Sequence, residues 1–164
     1  MLFYKIYLAI FIILIITIII IYHIHKNTIV ITQTTIDKFE FNLLYQKNPL
    51  VISDNIPSLQ LILDSWFKYN FIYKDDSNVF KWKLNASKYT LLHNNNEMNI
   101  EIHICHPNIK IINNIPSSES KIITIDLAVN QFIVLPYKWY YFNDNKNVTI
   151  FNIHDMYTKL LSTL

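Results

Sequence analysis

The sequence predicts a mainly β protein, an antiparallel sandwich or barrel with one flanking helix, carried behind a single membrane-spanning helix. Three observations lead there. Residues 2–22 form one apolar run, LFYKIYLAIFIILIITIIIIY. In the second half of the chain the apolar residues recur with period two, the repeat of strands whose alternate side chains face a core. The apolar stretches are short and are broken by Asn94-Asn95-Asn96, Asn113-Asn114 and Asn143-Asp144-Asn145, the pattern of many strands joined by turns.

The apolar run carries one charge, Lys5, close enough to its end to reach the membrane surface. At 1.5 Å per residue its length matches the roughly 30 Å hydrocarbon core. Tyr4, Tyr7 and Tyr22 lie toward the two ends, where aromatic rings favour the interface. A cleaved leader has a shorter apolar core and small residues at the cut; here His23-Ile24-His25-Lys26 follows instead. The run therefore reads as an uncleaved anchor, and membrane contact is assigned to residues 2–22. Lysines flank both ends, so the orientation stays open.

Residues 23–47 read as a connector with a first strand, and residues 48–164 as the β domain. Within it, Asn48-Pro49-Leu50-Val51-Ile52 reads as a strand entered through a proline, an edge-compatible position because proline cannot donate to a ladder. Ser58–Tyr69 reads as a helix with Pro57 beside its first turn; Leu59, Ile62, Leu63, Trp66 and Phe67 form its apolar face. Strands are predicted at 79–84, 98–106, 109–112, 121–127, 131–135, 139–143 and 148–153. Residues 154–164 read as a closing helix with Met156, Leu160, Leu161 and Leu164 inward.

Composition removes several functions. The chain contains no glycine, so asparagine, which tolerates positive φ, must make its tight turns. It has no arginine, its lysines are scattered and its net charge is +2, which argues against a nucleic-acid partner. One cysteine, Cys105, rules out an internal disulfide. His103, Cys105 and His106, with His93 or His154, lack the spacing of a zinc site, and nothing marks Cys105 as an activated nucleophile. Asp75-Asp76 reads as a turn, and Asp126 stands alone. The two glycosylation sequons, at Asn85 and Asn147, are about as many as chance gives in so asparagine-rich a chain.

Three further segments carry more. NPLVISD (Asn48–Asp54) leads to a helix ending near Trp66, LLHNNNEMNIEIHI spans Leu91–Ile104, and NQFIVLPYKWYYF spans Asn130–Phe142. In this order and spacing they resemble the JmjC/cupin-like superfamily of double-stranded β-helix proteins. The resemblance implies that fold, and a site where two histidines and a carboxylate would hold Fe(II) beside 2-oxoglutarate. Carried over, those ligand positions are His93, Asn95 and Tyr141, of which only His93 keeps a ligand's chemistry. Lys110 stands near the position of an oxoglutarate-binding lysine but is out of register.

The expectation is a domain whose ligand set is vestigial, with no catalytic, cofactor-binding or metal residues. It would be a non-catalytic structural or interaction module with an unidentified protein partner, held at a membrane. The compact chain and its heavy use of isoleucine, asparagine, lysine, tyrosine and phenylalanine, whose codons are AT-rich, suit a large DNA virus. The alternatives are a hydroxylase using Fe(II) and 2-oxoglutarate with altered ligands, and a lectin- or peptide-binding module with an exposed aromatic groove at Trp139–Phe142.

Overall fold

A computed structural model describes residues 2–23, 29–75, 81–117, 121–144 and 148–162. The apolar run is one helix, α1 (Leu2–His23). Its Tyr4–Tyr22 segment is long and apolar enough to cross a membrane and is nowhere buried by the rest of the chain. A leader sequence meets the same test of length and composition.

The remainder is mainly β, with one parallel pair. Strands β1 (Thr32–Thr34), β2 (Leu50–Ile52) and β3 (Phe71–Asp75) are followed by β4 (Lys83–Leu84), β5 (Tyr89–Asn94) and β6 (Ile100–Cys105). A small hairpin, β7 (Ile111–Ile112) and β8 (Ile115–Pro116), leads to β9 (Ile122–Leu127), β10 (Phe132–Pro136), β11 (Tyr140–Phe142) and β12 (Val148–His154). Beside the two-stranded β7–β8 sheet lie two larger ones: a six-stranded one in the order β1-β2-β10-β5-β12-β3, and a four-stranded one in the order β4-β11-β6-β9. From β3 to β6 and again from β9 to β12 the chain passes back and forth between them. Pairing is antiparallel throughout except for β1 with β2.

Two cores sit on the two faces of the six-stranded sheet. Between the sheets lie Leu92, Ile102, Ile104, Ile133, Leu135, Trp139, Tyr141 and Ile150. On the outer face, α2 (Asn42–Tyr45) and α3 (Gln60–Trp66) cover Leu50, Ile52, Leu91, Phe132, Val134 and Ile153. β5 and β10 are therefore buried on both faces, with Leu91 pointing outward and Leu92 inward. That explains their unbroken apolar sequence.

Asparagine does take the place of glycine. Asn130 (φ 60°) makes the β9–β10 turn, and Asn113 and Asn114 (φ 51° and 63°) make the β7–β8 hairpin, both in the left-handed region that a two-residue hairpin turn requires. Pro136 ends β10, and Lys138 (φ 68°) turns the chain into β11. Trp139 is fully buried between the sheets. β6 presents Ile100, Ile102 and Ile104 to the core as its alternation predicts.

Other expectations are corrected. β2 is not an edge strand: it lies between β1 and β10, because residues of the presumed connector supply β1 as a parallel neighbour. α3 is shorter than predicted, beginning beyond Pro57 and Ser58 at Gln60 and closing at Phe67, though its apolar face is the predicted one. Trp66 is only half-buried and stacks on Phe39 at 3.5 Å. The closing helix, α4 (Met156–Leu161), leaves Met156, Leu160 and Leu161 exposed and buries Thr158. Asp155 caps it by accepting from Thr158 N, which sets the helix phase from the cap rather than from the leucines. Leu164, the Asn147 sequon and residues 79 and 80 of the predicted strand lie outside the described residues.

Candidate functional site

The three positions of the presumed ligand set do not converge. His93 lies on β5 opposite Phe132, facing the α3-covered side, where its Nε2 donates to the Ile56 carbonyl (2.9 Å). Tyr141 lies on β11 inside the sandwich, on the other side of the six-stranded sheet. Asn95 is exposed beyond β5 and donates to the Thr149 hydroxyl. Alternation along a strand sends neighbours to opposite faces, so His93 cannot share a metal with a group packed around Leu92.

Electrostatics point the same way. Burial holds the His93 pKa below its ordinary value, against the opposing pull of its carbonyl partner. Burial first, and then the Asp75 charge, push the Tyr141 phenol well above its usual range, so it stays protonated. Fe(II) does not fit these residues: the histidine faces the wrong way, the amide is neutral and the phenol holds its proton.

What faces Tyr141 is a polar cluster that the sequence reading missed. Lys83 is paired directly with Tyr141 across β4 and β11. Its ammonium reaches across the gap between the sheets to Asp75 on β3, forming a half-buried ion pair. Asn152 of β12 donates to the same carboxylate (3.3 Å). Thr90 lies 3.0 Å from Asn152 Oδ1 and donates to Asn85 Oδ1 (2.7 Å). Asn85 is buried and donates to the carbonyls of Leu135 and Pro136 (2.9 and 2.8 Å), while its oxygen also accepts from Ser87 N (2.8 Å). Ser87 in turn is hydrogen-bonded to His154 Nε2 (3.0 Å). Residues from β3, β4, β5 and β12 thus meet at one end of the sandwich.

Asp75 is therefore a strand-end residue with a partner, not part of a surface turn; Asp76 lies outside the described residues. Asn85 is no acceptor for glycan in the folded chain, because its amide is buried and committed. The alternation Lys81-Trp82-Lys83-Leu84-Asn85 was the available signal: it places Lys83 and Asn85 on one face of a strand.

The remaining candidates lie apart from this cluster. His103 is bonded to the Thr124 hydroxyl (2.9 Å), and His106 accepts from Asn108 N (3.2 Å) and lies edge-on to Trp139. Cys105 is buried and its pKa is pushed up to about 11, which keeps it a thiol. Lys110 and Asp126 are exposed on the surface. The aromatic run is mostly interior, with Trp139 and Tyr141 buried and Tyr140 and Phe142 half-buried. Among the described residues no three metal-binding side chains come together.

A concavity lies elsewhere, where the C-terminal end of α1 meets the domain. It is a cavity of about 250 Å³ walled by Ile21, Tyr22, Leu44, Tyr45, Tyr89 and Pro136. Comparison with protein-family models, curated proteins and solved structures gives no match.

Proposed function

We propose that this chain is a membrane-anchored, non-catalytic double-stranded β-helix domain that serves as a structural or interaction module. The observation that carries the reading is the Lys83–Asp75 ion pair beside Tyr141, between the sheets. The strand order supports the fold. Eight strands, β3 to β6 and β9 to β12, alternate between two four-strand layers, with β1 and β2 extending one of them, as in jelly-roll and cupin architectures.

In that frame the ligand positions of the family belong one strand earlier than the sequence suggested. A group meant to meet a ligand at Tyr141 must come from an inward position on a neighbouring strand. Lys83 faces Tyr141, and Asn85 stands two residues on, the spacing of His-x-Asp. An ammonium there supplies a fixed positive charge where a cation would sit, and Asp75 balances it. Placing a divalent ion beside it would set like charges together in a partly desolvated site.

The test is a thermal-shift titration of the full chain in lipid nanodiscs, kept anaerobic, with Fe(II) and 2-oxoglutarate. A ligand at a hundredfold excess over its Kd adds about 2.7 kcal/mol, a shift of roughly 5–10 °C for a domain of this size. No shift is expected. A shift abolished by Asp75→Asn would overturn the reading in favour of the hydroxylase. The anchor is tested by the mass of the mature chain and by alkaline extraction. An intact chain retained with the membranes is expected; a chain lacking residues 1–22 would make α1 a leader.

A further inference from the structure

We infer that the face of the domain surrounding the end of α1 is a lipid-contact surface, so that the domain rests on the bilayer rather than hanging from a tether. This inference depends on reading α1 as the anchor.

The end of α1 is fastened to the domain at several points. The Tyr22 hydroxyl donates to Asp155, and its ring packs on Tyr157 (4.6 Å) and edge-on against Tyr137 (5.6 Å). Lys47 donates to the carbonyl of Ile21, one of the groups that a helix end leaves without an internal partner. A helix tied down in this way leaves the domain close to the level at which the apolar run ends.

The groups around that point suit the interface. On one side, Tyr45, at the end of α2 and in the cavity wall, is 71% exposed. On the other, Leu160 and Leu161 follow Tyr157 at the three- and four-residue spacing that puts side chains on one helix face, the face Tyr157 turns toward Tyr22. Leu160 is 63% exposed. Between the two sides lies the apolar cavity, bordered by Lys47 and Lys88, with the Lys138 ammonium over the Tyr137 ring. The carboxylate at this point, Asp155, is already matched by Lys88 and serves as the α4 cap.

In water these side chains leave apolar surface exposed around the end of α1. At a bilayer surface the same rings and leucines enter the headgroup boundary, with Lys47 and Lys138 adding positive charge at that level. The chemistry that fits is an anionic phospholipid layer.

Cys105 is buried, so single added cysteines can be labelled selectively with an environment-sensitive fluorophore. Ile13→Cys, Tyr45→Cys, Leu160→Cys and Met98→Cys are made in the full chain and placed in nanodiscs containing brominated lipids, with and without phosphatidylserine. Met98 is the wet control. β5 runs from Tyr89 at the cavity to Asn94 at the far end, and Met98 is exposed in the loop beyond. Labels at 45 and 160 are expected to shift to the blue and to be quenched by shallow bromines at least about twofold more than at 98, more strongly with phosphatidylserine. If 13 is quenched while 45 and 160 match 98, the surface inference is overturned and the anchor stands. If 13 is not quenched, both fail. Native tryptophan spectra of each labelled chain guard against misfolding.

Discussion

Asn85→Ala is the sharpest probe of the polar end of the sandwich. The Asn85 side chain is 1% exposed and makes four hydrogen bonds, two donated to Leu135 and Pro136 carbonyls and two accepted from Ser87 N and the Thr90 hydroxyl. Alanine removes all four and leaves buried polar partners behind, each costing about 1–3 kcal/mol unless water reaches it. Allowing for relaxation around the site, the expected loss is about 3–5 kcal/mol, a large part of the 5–15 kcal/mol that holds a typical domain. The comparison variant is Asn95→Ala, exposed and bonded only to Thr149 among the described contacts, where about 0.5 kcal/mol is expected. Urea unfolding of the full chain in nanodiscs, followed by the fluorescence of Trp66, Trp82 and Trp139, measures both. A loss below about 1 kcal/mol for Asn85→Ala would refute the claim that this amide fastens β10 to the rest of the sandwich.

Other expectations follow from the same contacts. Lys83→Met and Asp75→Asn should each destabilise by about 1–3 kcal/mol, and the double variant should lose less than their sum, because a lone charge is worse than none in a partly buried pair; strict additivity by urea unfolding would deny the pair. Lys138→Gly should leave stability unchanged or raise it by up to about 1 kcal/mol, since φ 68° suits glycine better than lysine; a loss would mean that the lysine stem carries packing of its own. Burial lowers the pKa of both His93 and His154. A histidine kept neutral by the fold stabilises it above its unfolded pKa, and that contribution is lost as pH falls below about 6.5. The urea midpoint should therefore drop between pH 7.5 and 5, and His93→Gln with His154→Asn should flatten that slope.

The elements visible in the sequence are those whose signals are local. α1 needs only length and apolarity. β6 alternates cleanly because one face meets the core and Glu101 faces water. β10 is bracketed by Asn130 and Pro136, residues whose backbone preferences mark the turn before it and its end. β3 escaped notice because Phe71 and Tyr73 at the sheet edge are exposed, leaving little contrast between its faces. α2 escaped because a four-residue helix has no period to detect. The direction of α4 was misread because apolarity was weighed without the Asp155 cap.

The site failed for a different reason. A strand buried on both faces carries no alternation, so Leu91-Leu92-His93 reads the same whichever side is inward. Shifting the assignment by one residue moves a side chain from one core to the other. Only the pairing of β5 with β10 and β12 settles that Leu92 lies with Tyr141 and His93 with Phe132. The cluster that does face Tyr141 draws on Asp75, Lys83, Asn85, Thr90 and Asn152, brought together by cross-strand pairing and contact between the sheets. The alternation at Lys81–Asn85 puts Lys83 and Asn85 on one face but does not say what that face meets. A lysine opposite a buried phenol and a carboxylate in the neighbouring layer look like surface residues until the sheets close. The same closure explains how the chain can satisfy the polar end of its sandwich with its own charges, since an ammonium and a carboxylate fixed by two opposed sheets need no third group to neutralise them.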